Sequence, residues 1–159
     1  MNKKLVLIPL ISFLVLMATF QTAKAATITS ATLDKTTYLA GQTGYISVSI
    51  YNDKNDKIKV TELSATINYY YTESTVYVQK FFTSVTLPDE IPAGQTETYQ
   101  VPISLPTNIA PGYTNPIVEA RTEVWNQQAT EWRYSDRPTY PVKLYICLLY
   151  TSPSPRDRT

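Results

Sequence analysis

Hydrophobic and polar residues alternate along most of this chain. Across residues 45–51 the alternation places Ile46, Val48 and Ile50 on one face and Tyr45, Ser47 and Ser49 on the other. That two-residue period is the mark of a half-buried strand. It recurs through residues 60–71, with Leu63, Ala65, Ile67 and Tyr69 facing inward, and through Tyr99, Val101, Ile103 and Leu105. Residues 28–33 predict a first edge strand, ended by Asp34-Lys35. Residues 76–87 predict a return strand, with a bulge where the pattern slips at Phe81-Phe82. Residues 117–125 and 131–146 predict a last pair, joined through residues 126–130, and Pro138 and Pro141 break its second member. After the first 25 residues no long segment carries the i, i+3, i+4, i+7 spacing of an amphipathic helix.

The punctuation between these runs supports the same reading. Ala-Gly-Gln-Thr occurs twice, at residues 40–43 and 93–96, each time before an alternating run. A glycine supplies the positive φ of a tight turn, and Gln-Thr then opens a strand. The flanks of the two copies differ, so they predict two turns of one domain rather than an internal repeat. Residues 52–57 form a polar turn, Glu73-Ser74 reverses the chain, and residues 88–94 and 106–116 are proline-marked connections. Pro102 inside a strand argues for an edge position. The expected fold is all-β: an immunoglobulin-like Greek-key β-sandwich of seven to eight strands, held by its aliphatic interior.

Both ends of the chain change the picture. Lys3 and Lys4 precede an apolar run over residues 5–20, and Ala23-Lys24-Ala25 fits a small-x-small cleavage site. Residues 1–25 are therefore expected to be a signal peptide, with the mature chain starting at Ala26. The apolar run is short for a membrane-spanning helix, which needs about 20 residues. At the other end, Cys147-Leu148-Leu149-Tyr150-Thr151-Ser152-Pro153-Ser154-Pro155-Arg156-Asp157 resembles one reading frame of a sequencing adapter. Residues 147–159 are accordingly expected to be a non-native tail and residues 26–146 the folded domain. Cys147 then drops out of any thiol or disulfide argument. The formal charge of +1 also misleads, because residues 26–146 hold nine basic and twelve acidic residues. With no basic block, nucleic acid is not an expected partner.

The residues also carry a family resemblance. The run Leu33-Asp34-Lys35-Thr36-Thr37-Tyr38-Leu39-Ala40-Gly41-Gln42-Thr43, followed by Ile46, Val48, Ile50 and Asn52, resembles the opening of immunoglobulin-like modules on bacterial and archaeal surface proteins. Ile91-Pro92-Ala93-Gly94-Gln95-Thr96 and the Leu105-Pro106, Ile109 and Pro111-Gly112 series resemble turns of CARDB-like and arrestin-like sandwiches. The resemblance spans Leu33 to about Trp125. It implies a non-catalytic, extracytoplasmic binding or spacing role, and it assigns no functional residue.

Candidate chemistry is sparse. The chain has no histidine, so it offers no imidazole base or metal ligand. Asp89-Glu90 and the alternating Glu119, Arg121 and Glu123 read as solvated charges rather than as a carboxylate pair across a cleft. Asp53, Asn55 and Asp56 could supply oxygen ligands, but they lack the glycine and the downstream bidentate glutamate of a calcium loop, and Lys54, Lys57 and Lys59 oppose a cation. No catalytic, cofactor-binding or metal-binding residue is assigned, and no cofactor is expected. The candidate contact residues are Trp125, Trp132 and Tyr134, because flat rings bury much area at little entropic cost. The expected function is a secreted or cell-surface, non-catalytic module for adhesion, envelope assembly or spacing. Its partner would be an envelope protein; the alternative is a carbohydrate-binding module that uses the same aromatics. Membrane attachment would come through an uncleaved leader or through sequence beyond Ile146.

Overall fold

The computed structural model describes residues 25–70 and 76–147. Almost all of the expected leader, the Glu73-Ser74 turn, Tyr71 and residues 148–159 of the expected tail lie outside them. All regular structure among the described residues is β-strand: β1 (Ala26–Leu33), β2 (Tyr38–Leu39), β3 (Thr43–Asn52), β4 (Ile58–Tyr70), β5 (Val76–Phe82), β6 (Asp89–Ile91), β7 (Thr96–Ser104), β8 (Gly112–Thr114), β9 (Ile117–Asn126), β10 (Glu131–Tyr134), β11 (Thr139–Pro141) and β12 (Leu144–Cys147).

Two antiparallel sheets make the sandwich. The first has the order β1-β3-β7. The second has the order β10-β9-β4-β5, with β11 also pairing β9 and β6 pairing β4. The chain crosses from β3 to β4, returns from β5 to β7, and crosses again to β9, which is a Greek-key path. A small third sheet, β2-β12-β8, closes one end, with β12 parallel to β2. This is the immunoglobulin-like sandwich that the alternation predicts.

The alternating positions supply the core. Ile46, Val48 and Ile50 of β3 and Val101 of β7 are fully buried, facing Ile58, Val60, Leu63, Ala65 and Ile67 of β4. Each large side chain so buried contributes roughly 1.5–3 kcal/mol. The short third sheet adds Tyr38, Leu144 and Ile146, all buried. Pro102 lies in β7, an edge strand of the first sheet, opposite Tyr45.

The structure divides the strands more finely than the alternation does. The expected bulge at Phe81-Phe82 is not found: β4 and β5 pair without a break from Ser64↔Phe82 to Tyr70↔Val76. Phe81 packs on the core, Phe82 faces out with Lys80 over its ring, and β5 ends there rather than at residue 87. Two adjacent aromatics on opposite faces are ordinary alternation with one ring outside. Register shifts fall instead at Thr61, between β4 and β9, and at Thr29, between β1 and β3. The connection over residues 88–94 contains β6, and residues 131–146 form three strands, the last of which changes sheet.

Both Ala-Gly-Gln-Thr copies are turns of one type. Gly41 and Gly94 have φ of 78° and 70°. Gln42 N–H donates to the Leu39 carbonyl at 3.1 Å, and Gln95 N–H donates to the Pro92 carbonyl at 3.2 Å. A positive φ at the third turn residue with that hydrogen bond is a type II turn.

Beside the first turn, a polar knot fixes the entry to β3. The buried Tyr38 hydroxyl donates to Asp34 Oδ1, which also accepts from Tyr45 N–H at 2.9 Å. A Cβ on Gly44 would collide with the Tyr38 hydroxyl and lie 2.5 Å from Asp34 Oδ1. Gly44→Ala is therefore expected to destabilise the fold by roughly 1–3 kcal/mol, measured by urea unfolding.

Burial pushes the Asp34 carboxyl up, but the Tyr38 hydroxyl, the Tyr45 N–H and nearby Lys35 outweigh it and hold it below the ordinary value. Stability from such a group is complete above the unfolded carboxylate pKa of about 3.9 and is lost as pH falls through the folded value. Thermal melts are expected to hold steady from neutral pH down to about pH 5 and to fall steeply below pH ~4. Asp34→Asn should make that acid slope shallower.

Candidate functional site

Strand pairing brings the three candidate aromatics to one place. β9 and β10 form a hairpin whose register sets Trp132 opposite Trp125 and Tyr134 opposite Glu123. Trp125, Trp132 and Tyr134 thus share the outer face of the second sheet. The indole rings meet edge to face, with centroids 5.3 Å apart. Both are half-buried, whereas Tyr134 is 59% exposed. The hairpin turn is held by Asn126, whose Oδ1 accepts from the N–H groups of Gln128 and Ala129 at 3.0 Å each. Thr130 follows with a φ of 50°, a left-handed conformation that a β-branched residue seldom adopts.

Cations cover the rings. Lys57 Nζ lies 5.5 Å from the Trp125 centroid and 5.2 Å from that of Trp132, and Lys59 Nζ lies 4.6 Å from Trp132. The Arg121 guanidinium stands 5.8 Å from the Tyr134 ring. Each such contact contributes about 0.5–1 kcal/mol at an exposed site, similar to the roughly 0.5–1.5 kcal/mol of an aromatic pair. The corner is therefore held by several contacts of equal rank. The same lysines pair with carboxylates: Lys57 with Glu90 at 2.8 Å and Lys59 with Glu123 at 3.0 Å. Glu119 pairs with Arg137 at 3.3 Å. The acidic residues of this face are thus spread along a charge ladder and do not converge as an acid and base would.

A groove runs beside the pair. It encloses about 520 Å³ and is lined by Asn55, Asp56, Trp125, Gln127, Gln128 and Arg133, among others. Its far wall is the turn over residues 53–57, joined to the hairpin by Gln127 Nε2, which donates to Asp56 Oδ1 at 2.6 Å, and by Trp125 N–H, which donates to the Lys57 carbonyl at 3.0 Å. Asp56 is thus engaged with the hairpin, and Asp53, Asn55 and Asp56 sit on a turn that forms one side of this groove. Among the described residues no group of three or more acidic or thiol side chains is placed to hold a metal ion.

Sequence reasoning found the aromatics but missed Lys57, Lys59 and the amide-lined groove. The signal for the lysines was their i, i+2 spacing, which puts both on one strand face. What places that face over the rings is the pairing of β4 with β9, through Lys59↔Glu123.

Residues 24–122 match the family described as arrestin (or S-antigen), C-terminal domain. The chain belongs to this arrestin family. That agrees with the arrestin-like part of the sequence resemblance and with an all-β sandwich. The match ends at Thr122, so the aromatic hairpin lies beyond it. No curated protein matches the sequence.

Among solved structures, the sporulation control protein Spo0M of Bacillus subtilis is 14% identical with a TM-score of 0.49, covering 78% of this chain and 50% of its own. The Pseudomonas fluorescens alkylpurine DNA glycosylase AlkC is 11% identical with a TM-score of 0.49, covering 77% of this chain and 31% of its own. A Niemann-Pick type C2 protein from the Japanese carpenter ant is 9% identical with a TM-score of 0.45, covering 79% of this chain and 96% of its own. The arrestin-family chain thus spans half of Spo0M and less of AlkC, and no residue role passes from any of these structures to it.

The hairpin geometry yields a stability test. Thr130→Asn, which tolerates the left-handed turn better, is expected to raise stability by about 0.5 kcal/mol, read from the urea midpoint at unchanged slope.

Proposed function

We propose that this arrestin-family chain is an extracytoplasmic, non-catalytic module that binds a protein of the cell envelope, serving adhesion, assembly or spacing. The observation that carries the reading is the corner formed by Trp125, Trp132, Lys57 and Lys59. Half-buried aromatics flanked by ion pairs on a rigid sheet edge have the make-up of a protein-binding hot spot. The lysines also argue against a sugar platform, since a stacking sugar would have to displace the ammonium groups beside both indoles. Export is supported by the leader pattern over residues 1–25.

A second reading, carbohydrate binding, is favoured by one feature. The groove beside Trp125 is lined by the amides of Asn55, Gln127 and Gln128 and by Arg133, groups that pair readily with sugar hydroxyls.

Photo-crosslinking to an isolated envelope fraction, run beside a glycan array, tests both readings. Wild-type protein is expected to crosslink to protease-sensitive envelope material and to leave the array silent. The Trp125→Ala, Trp132→Ala double variant should lose that crosslinking at least tenfold while keeping its β-sheet spectrum. Array binding abolished by the same substitutions would favour the carbohydrate reading. Crosslinking that is indifferent to them would sink the assignment of this corner.

A further inference from the structure

We propose that Asp136 captures the α-amino group released when the bond between Ala25 and Ala26 is cut, so that the fold contains a prepared site for its own processed N-terminus. The inference rests on the export reading above, but its evidence lies elsewhere in the molecule.

Ala26 opens β1 and is 2% exposed. Its backbone nitrogen lies 3.1 Å from Asp136 Oδ2, across 110 residues of sequence. That carboxylate also accepts from Ser135 Oγ at 2.6 Å and pairs with Lys54 Nζ at 2.9 Å. The backbone of Asp136 is pinned as well: its carbonyl accepts from Thr122 N–H at 2.9 Å and from Thr122 Oγ1 at 3.1 Å, and Thr122 is fully buried. Burial pushes the Asp136 carboxyl up, yet the Ser135, Lys54 and Ala26 donors outweigh it and keep it ionised at neutral pH. A fixed anion therefore faces the nitrogen of one particular residue.

The leader pattern, which owes nothing to this geometry, ends its small-x-small site at Ala25. Both observations select the same bond. Its hydrolysis by a leader peptidase consumes one water, leaving a carboxylate on Ala25 and an amine on Ala26. An α-amine with a pKa of about 7.7–8.0 takes up a proton at neutral pH. The neutral N–H at Asp136 thereby becomes an ammonium, and hydrogen bonds between charged partners are about twice as strong as neutral ones. Lys54 shares the same carboxylate oxygen and repels the new cation, which moderates the gain. A start one residue earlier would move the charge about 3.4 Å along the strand, off the carboxylate.

The test begins with the intact mass of the exported protein, expected to correspond to a start at Ala26. The chain from Ala26 onward is then compared with a free and with an acetylated N-terminus. Acetylation keeps an N–H at Ala26 but removes the charge. The free-amine form is expected to melt about 2–5 °C higher. That advantage should vanish in Asp136→Asn and widen in Lys54→Met, where the competing cation is gone. Equal melting of the two forms, or the same difference in every background, would overturn the capture while leaving export standing. A protein kept inside the cell with its leader attached would overturn both.

Discussion

Asn52 is the residue on which the rest of the arrangement depends. It is fully buried at the end of β3, where the chain leaves the first sheet. Its side-chain nitrogen donates to the carbonyls of Ile91 and Asp56, each at 3.0 Å, and its Oδ1 accepts from Lys54 N–H at 2.9 Å. Its backbone closes on the second Ala-Gly-Gln-Thr turn, giving N–H to Gln95 at 3.0 Å and accepting from Gly94 N–H at 2.9 Å. The buried amide thus fastens β3 to β6 and to the turn over residues 53–57, and the backbone of the same residue fastens the entry to β7. An apolar residue of similar size would remove the buried bond to the Ile91 carbonyl, at a cost of about 1–3 kcal/mol. It would also remove the partly buried bond to the Asp56 carbonyl, which costs less because water reaches it.

This junction also sets up the candidate site. The turn it holds carries Asp56, which receives Gln127, and Lys57, whose carbonyl takes the Trp125 N–H and whose ammonium lies beside both indoles. The same turn presents Lys54 to Asp136, next to the nitrogen of Ala26. The proposed contact corner and the proposed N-terminal site are therefore two outlets of one polar junction. A sandwich with an all-apolar interior could be as stable but would leave both turns unanchored.

The long strands were legible because their alternation is nearly unbroken, and the two glycine turns because positive φ has few other solutions. The short elements were not. β6 is Asp-Glu-Ile, too brief to show a period, and it becomes a strand only because β4 offers it an edge. β12 looks like the continuation of β10 and β11, and nothing local says that it leaves them to pair with β2 and β8. Phe81-Phe82 misled for a different reason: an exposed ring with a lysine over it reads as a broken pattern when polarity alone is counted. At the site, the aromatics were visible as residue types, whereas the lysines beside them and the groove depend on register between strands far apart in sequence. Membership in the arrestin family fixes the scaffold, and the candidate aromatics lie beyond the matched residues.

Hydrogen exchange on Asn52→Leu, read together with tryptophan emission, tests the central claim most directly, because the chain's two tryptophans both lie in the candidate site. The expected result is a folded but less stable protein with faster exchange over residues 53–57 and 91–95 and at the Trp125 amide, and a red-shifted emission. A folded variant in which the Trp125 amide and the emission stay at wild-type values would contradict it.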